Sequence, residues 1–130
     1  MSGMLSGDHP LGLLAGADLS STGLHRFVVE AADARTVTLC GAGVQPTGVL
    51  CNSPASGEVA DVTCASGRFV RLEVDGTSAI AKGDYLKSAA NGIGVKAGTD
   101  KDLYGAKAHE VSTASGDIIW VELMSGSVSV

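Results

Sequence analysis

"ASGEVADVT" (55–63) and "ASGDIIWVE" (114–122) are near-copies of one another, 59 residues apart, identical at four of nine positions. Glu58 against Asp117 and Val59 against Ile118 are like-for-like replacements. In each copy a Ser-Gly pair marks a loop, an acid follows, and an alternating run begins. Alternation of apolar and polar residues at period two marks a strand with one buried face. In the first copy Ala60, Val62 and Cys64 share a face; in the second, Ile119, Val121 and Leu123 do. The opposite faces carry Val59, Asp61 and Thr63, and Ile118, Trp120 and Glu122. Both inner triads are apolar, so the same register points inward twice. Each copy follows a Gly-aliphatic strand, begun by Gly48 or Gly105. The pattern predicts two related hairpins, 48–64 and 105–124, within one barrel wall.

Outward from this pair the chain reads as short strands divided by turn signals. "LHRFVVE" (24–30), "TVTLC" (36–40), "RFVRLEV" (68–74), "DYLKS" (84–88) and "IGVKA" (93–97) are strand-like. Asn91-Gly92 lies between the last two and is a hairpin signal, because both residues tolerate positive φ. From residue 24 onward no segment holds a helical period for ten residues without Gly or Pro. The expected fold class is all-β: a small β-barrel or sandwich of short antiparallel strands over 23–130, with an extended N-terminal arm over 1–22. The arm follows no period. Its Met4, Leu5, Leu11, Leu13, Leu14 and Leu19 set it apart from an idle tail, because disordered tails are poor in large apolar residues. Fully burying six such side chains yields about 9–18 kcal/mol. Ordering 22 backbones costs about 22–44 kcal/mol. The arm therefore needs further contacts and backbone hydrogen bonds, expected from the sheet edge of a partner.

The bulk numbers limit the function. A chain of 130 residues fits one domain with a sizeable core. A formal charge of -5 and nine scattered basic residues oppose a sequence-independent grip on nucleic acid. No stretch approaches the ~20 apolar residues of a membrane span, and the N-terminus lacks the basic region of a signal peptide. A mean hydropathy of +0.25 with only 18% charged residues points to surface meant for other subunits.

Sites for chemistry are few. His9, His25 and His109 stand in no metal-ligand spacing. His25 alternates with Phe27 and Val29 and reads as a core histidine. Cys40, Cys51 and Cys64 are widely spaced and form no CxxC, so they read as small buried hydrophobes with inert thiols. GxSxG is absent, and "GAGVQPTG" (41–48) lacks the Lys-Ser or Lys-Thr of a phosphate loop. Sugar recognition would want aromatic platforms, and Phe27 and Phe69 read as structural. Trp120 stands on the outward face of its strand and is a candidate anchor for a subunit interface. No catalytic residue, metal or cofactor is expected.

"GVLCNSPASGEVADV" (48–62), "IAKGDYL" (80–86) and "GAKAHEVSTASGDIIWVEL" (105–123) resemble the head decoration, or cement, proteins of tailed bacteriophages. The resemblance covers roughly 17–124 and includes an opening "ADLS". It implies a non-enzymatic β-rich protein on the outer capsid surface of the virion. Such a protein would form a homotrimer and clamp neighbouring major capsid subunits against the pressure of packaged DNA. It gives the apolar arm a use, with Met4, Leu5, Leu11, Leu13, Leu14 and Leu19 as candidate capsid-binding residues. The alternative is a virion-borne or extracellular binding module, such as a sugar-binding or tail-fibre-like β domain. A hydrolase built on two facing carboxylates comes third.

Overall fold

The computed structural model describes residues 13–32 and 35–129. Among them are ten strands: β1 (Leu14–Ala15), β2 (Phe27–Glu30), β3 (Thr36–Leu39), β4 (Gly48–Leu50), β5 (Val62–Thr63), β6 (Phe69–Asp75), β7 (Tyr85–Ser88), β8 (Gly94–Lys96), β9 (Leu103–Ala108) and β10 (Ser115–Ser127). The one helical element among the described residues is a single turn of 3-10 helix, Ala90–Gly92. The fold is thus all-β. It has two lobes: a sheet in the order β1-β3-β2-β4-β5 and a closed barrel in the order β10-β6-β8-β7-β9. The first sheet nearly closes as well. β1 pairs in parallel with β3 on one side and forms a bridge from Leu14 to Val59, ahead of β5, on the other.

The two lobes are copies of one another. β7 begins 58 residues after β2 (Phe27 to Tyr85), and β8 begins 58 after β3 (Thr36 to Gly94). Val121 lies 59 residues after Val62. Each lobe pairs its first strand in parallel with its third, β1 with β3 and β6 with β8. Each pairs its second strand with its third and fourth in antiparallel fashion. Each joins its fourth strand antiparallel to its fifth. The rung Phe27–Val49 in one lobe is the rung Tyr85–Lys107 in the other. Left-handed backbone recurs at matching places: His25 (φ 66) with Gly83 (φ 96), Gly43 (φ 74) with Lys101 (φ 70), and Gly57 (φ 83) with Gly116 (φ 90).

The two related hairpins therefore do not share a barrel wall. One stands in each lobe, because the duplicated unit is the whole five-stranded winding. Their register is as expected. Ala60 and Val62 are buried in the first lobe, Ile119, Val121 and Leu123 are buried in the second, and Cys64 is half-buried against the first core.

Alternating strands bury one face, whereas unbroken apolar runs bury both. "FVV" of β2 and "GVL" of β4 are of the second kind. Val28 and Leu50 fill the first lobe with Leu13, Ala15, Leu19, Val37, Ala60 and Val62. Phe27, Val49 and the nearby Cys40 join the core of the barrel, with Leu72, Val74, Leu86, Ala106 and Val121. Gly105 makes room at this junction. A Cβ there would stand 3.1 Å from Phe27 Cε1 and 2.9 Å from Pro46 Cγ. Polar ties reinforce the contact: Arg26 pairs with Glu73 at 3.3 Å, and the Gln45 side-chain amide donates to the Tyr104 carbonyl at 3.0 Å.

The reading of 1–22 as an arm outside the core needs correction from Leu13 on. The Leu14 and Gly16 N–H groups donate to the Arg35 and Val37 carbonyls at 2.9 and 2.8 Å. Those of Ala15 and Ala60 donate to the Glu58 and Leu13 carbonyls at 2.8 and 3.0 Å. The sheet edge that the segment needs is supplied by the chain itself. His25 also differs from expectation. It lies in the left-handed turn before β2 rather than within a strand, half-exposed.

Candidate interaction surface

Period-two alternation on β6 turns Val70, Leu72 and Val74 into the barrel and leaves Phe69 and Arg71 exposed. β10 runs antiparallel to it and sets Trp120 opposite Arg71, Glu122 opposite Phe69 and Ile118 opposite Glu73. The Arg71 guanidinium carbon lies 4.6 Å from the centroid of the Trp120 ring, a cation–π contact. From the end of β9, His109 brings its ring to 4.8 Å from that of Phe69 and its Nε2 to 3.1 Å from Glu122 Oε1. Phe69 is 55% exposed, Ile118 43% and Trp120 41%. This wall gathers the lone Trp and one of the two Phe residues of a chain that is only 4% aromatic. Its charges are mixed, with Arg71 and Lys107 beside Glu73 and Glu122.

The wall is tied down past the end of β9. Beyond β9 the ladder to β10 ends, and Glu110 Oε1 takes the Trp120 N–H at 2.7 Å while the His109 N–H reaches the Trp120 carbonyl at 3.0 Å. The Trp120 backbone is thus tied to the segment after β9 through both its N–H and its carbonyl. Large aromatic side chains on a strand, flanked by charges, are the residue types that anchor protein interfaces.

The other residues singled out in the sequence fall elsewhere. Leu13 and Leu19 are buried in the first lobe, so neither can meet a partner without opening it. Leu14 is partly exposed beside Val59, which is 68% exposed. Met4, Leu5 and Leu11 lie outside the described residues. Phe69, read as structural from the sequence, is instead the most exposed ring of the wall. The signal was present in "RFVRLEV", whose alternation puts Phe69 on the face of Arg71 and Glu73.

For chemistry the structure offers little. Among the described residues no cluster of three His, Cys, Asp or Glu side chains could hold a metal ion. A cleft of about 90 Å³ between the lobes is lined by Gly48, Cys64, Ser66, Gly105, Leu123 and Ser125 among others, and no carboxylate or imidazole lines it. Burial pushes the Cys40 thiol up, and burial followed by the nearby Glu30 charge does the same for Cys64. Both therefore stay protonated and weakly nucleophilic at neutral pH. No helix among the described residues is long and apolar enough to cross a membrane.

No protein-family model and no curated relative matches the sequence. Among solved structures the chain is similar to the N base of head fiber gp8.5 of bacteriophage phi29, with a TM-score of 0.67 at 14% identity. The match covers 89% of this chain and 95% of that one, so the likeness of fold takes in both lobes.

Proposed function

We propose that this chain is a structural protein of a phage virion that decorates the outside of the head and acts by binding rather than catalysis. The observation that carries the reading is the likeness to a head fiber base along nearly the whole of both chains. The sequence resemblance to head decoration proteins supports it independently. So does a wall on which Phe69, Ile118 and Trp120 are exposed together. In this reading the partner is the major capsid protein, the attached form is a homotrimer, and bridging neighbouring capsid subunits stabilises the head. Closed threefold symmetry matches a threefold lattice point.

The test is sedimentation with heads assembled from the major capsid protein of the same genome. Saturable binding at a fixed ratio to capsid subunits is expected, with density at threefold positions in a reconstruction of decorated heads. A chain that stays in the supernatant while binding a glycan array would instead be a sugar-binding module.

A further inference from the structure

In the fold the lysines are not scattered. All five lie between residues 82 and 107, on β7, β8, β9 and the turns beside them, and these three strands are neighbours in the barrel. This stretch holds five lysines against three aspartates, whereas the rest of the chain holds four arginines against eleven acids. The protein is thus acidic with one basic face. Lys87 and Lys96 are paired within that face, to Asp102 at 3.0 Å and Asp84 at 3.7 Å. Among the described residues no carboxylate lies within ion-pair distance of Lys82, Lys101 or Lys107. Lys107 stands opposite Tyr85, and the Gly83 N–H donates to the Ala108 carbonyl at 2.7 Å, which brings the turn of Lys82 to the same end of β9. Tyr85, 39% exposed and stacked on Tyr104, gives the basic face an aromatic centre. The first lobe carries the converse. Leu14 and Val59 are bridged and are 37% and 68% exposed. Beside them Glu58 is exposed, and among the described residues no cation lies within ion-pair distance of it.

We propose that the basic face around Tyr85, Lys82 and Lys107 of one copy docks on the Leu14, Val59 and Glu58 patch of a second copy of this chain. The proposal rests on the homotrimer of the function given above and adds the two surfaces that build it. Complementary potentials select a partner and fix its register. Charge alone suits any acidic partner. Cations around an aromatic centre call for an apolar centre with an acid beside it, and the chain itself presents that combination. A long polyanion, by contrast, also meets the acids of the rest of the chain, which repel it. Two different patches that fit one another make a heterologous contact, which closes into a ring where the rotation allows.

The experiment is sedimentation equilibrium of the full chain over a range of concentrations, with melting temperatures as a check on folding. Wild type is expected to associate to a trimer. Glu58→Lys, and Lys82→Glu combined with Lys107→Glu, are each expected to weaken association by about tenfold or more. The chain carrying all three substitutions, with the charges exchanged, is expected to recover most of the loss. Glu58→Gln and Lys107→Gln form a milder pair in case a charge reversal unfolds the chain, and Gln keeps an oxygen for the Ala55 N–H that Glu58 accepts. The proposal falls if wild type stays monomeric or stops at a dimer. It falls equally if the exchanged chain associates no better than the reversals, or if both Gln variants associate as wild type. A monomeric wild type retained on heparin would make the basic face a site for an acidic polymer and overturn the contact between copies. Head sedimentation separates this from the function above. Wild type that binds heads without the Glu58 and Lys107 contact leaves that function standing, and wild type that trimerises through it but never sediments with heads removes the function alone.

Discussion

Lys101 and His25 hold backbone angles that a side chain with a Cβ seldom adopts, and the duplication explains why. Each sits at a turn whose counterpart in the other lobe is a glycine, Gly43 or Gly83. A left-handed L-residue costs roughly 1–2 kcal/mol, which glycine avoids. Lys101→Gly should therefore raise stability, by up to about 1 kcal/mol once the greater freedom of the unfolded chain is counted. Gly116→Ala should lower it by about 1–2 kcal/mol. Urea midpoints measure both, and opposite signs are expected. Titration acts at this scale too. Asp102 accepts the Thr99 N–H at 2.9 Å, the Lys87 ammonium at 3.0 Å and the Gly98 N–H at 3.2 Å. These bonds, that from Thr99 foremost, hold its carboxyl below the ordinary 3.8. A folded pKa below the unfolded one stabilises the fold above pH 3.8, and that contribution is lost as pH falls through the folded value. Asp102→Asn should thus melt lower than wild type at neutral pH, and the gap should close at acid pH. A gap that persists unchanged at low pH would mean that the charge of Asp102 does not matter.

The elements show what a sequence can and cannot disclose. Every strand expected from alternation is present, and Asn91 (φ 62) and Gly92 (φ 74) form the expected left-handed turn between β7 and β8. β1 went unread because nothing local makes it a strand. Leu14–Ala15 is extended only because Thr36–Val37 lies on one side and Val59 on the other, 22 and 45 residues away in sequence. The duplication was visible in a single pair of hairpins, since drift has erased the rest of the pattern while leaving the pairing order intact. The Trp120 wall was half legible. Alternation pointed Trp120 outward, but only the register of β6 and β9 against β10 brings Arg71, Phe69 and His109 beside it. As an exposed residue whose stacking is worth about 0.5–1 kcal/mol, Trp120 is dispensable to the fold. Trp120→Ala should shift the melting temperature by only a few degrees and weaken head binding at least tenfold. Head binding at wild-type strength would place the attachment surface elsewhere.

At the scale of the molecule, the two lobes need each other unequally. The first lobe turns Phe27 and Val49, both fully buried, into the core of the barrel. The barrel has Tyr85 and Lys107 at the same rung, with the Tyr85 ring stacked on that of Tyr104 at 4.2 Å. Tyr85 is 39% exposed there, so this rung is not buried against a further core among the described residues. The junction accordingly lies inside one chain, and the lobes should melt together. Phe27 tests this most directly, because its ring lies against Gly105 of β9 and belongs to the core that both lobes share. Phe27→Ala should cost about 3–5 kcal/mol, the range for a large side chain removed from a packed interior. The cost falls on the joint rather than on one lobe's own core, so it should also weaken cooperativity. Wild type is expected to melt in a single step whose calorimetric and van't Hoff enthalpies agree, and Phe27→Ala in a broader transition whose van't Hoff enthalpy is the smaller. Val28→Ala, a cavity in the first core alone, should lower the transition and leave it two-state. If wild type itself melts in two separate steps, the lobes are independent modules and the buried junction does not couple them.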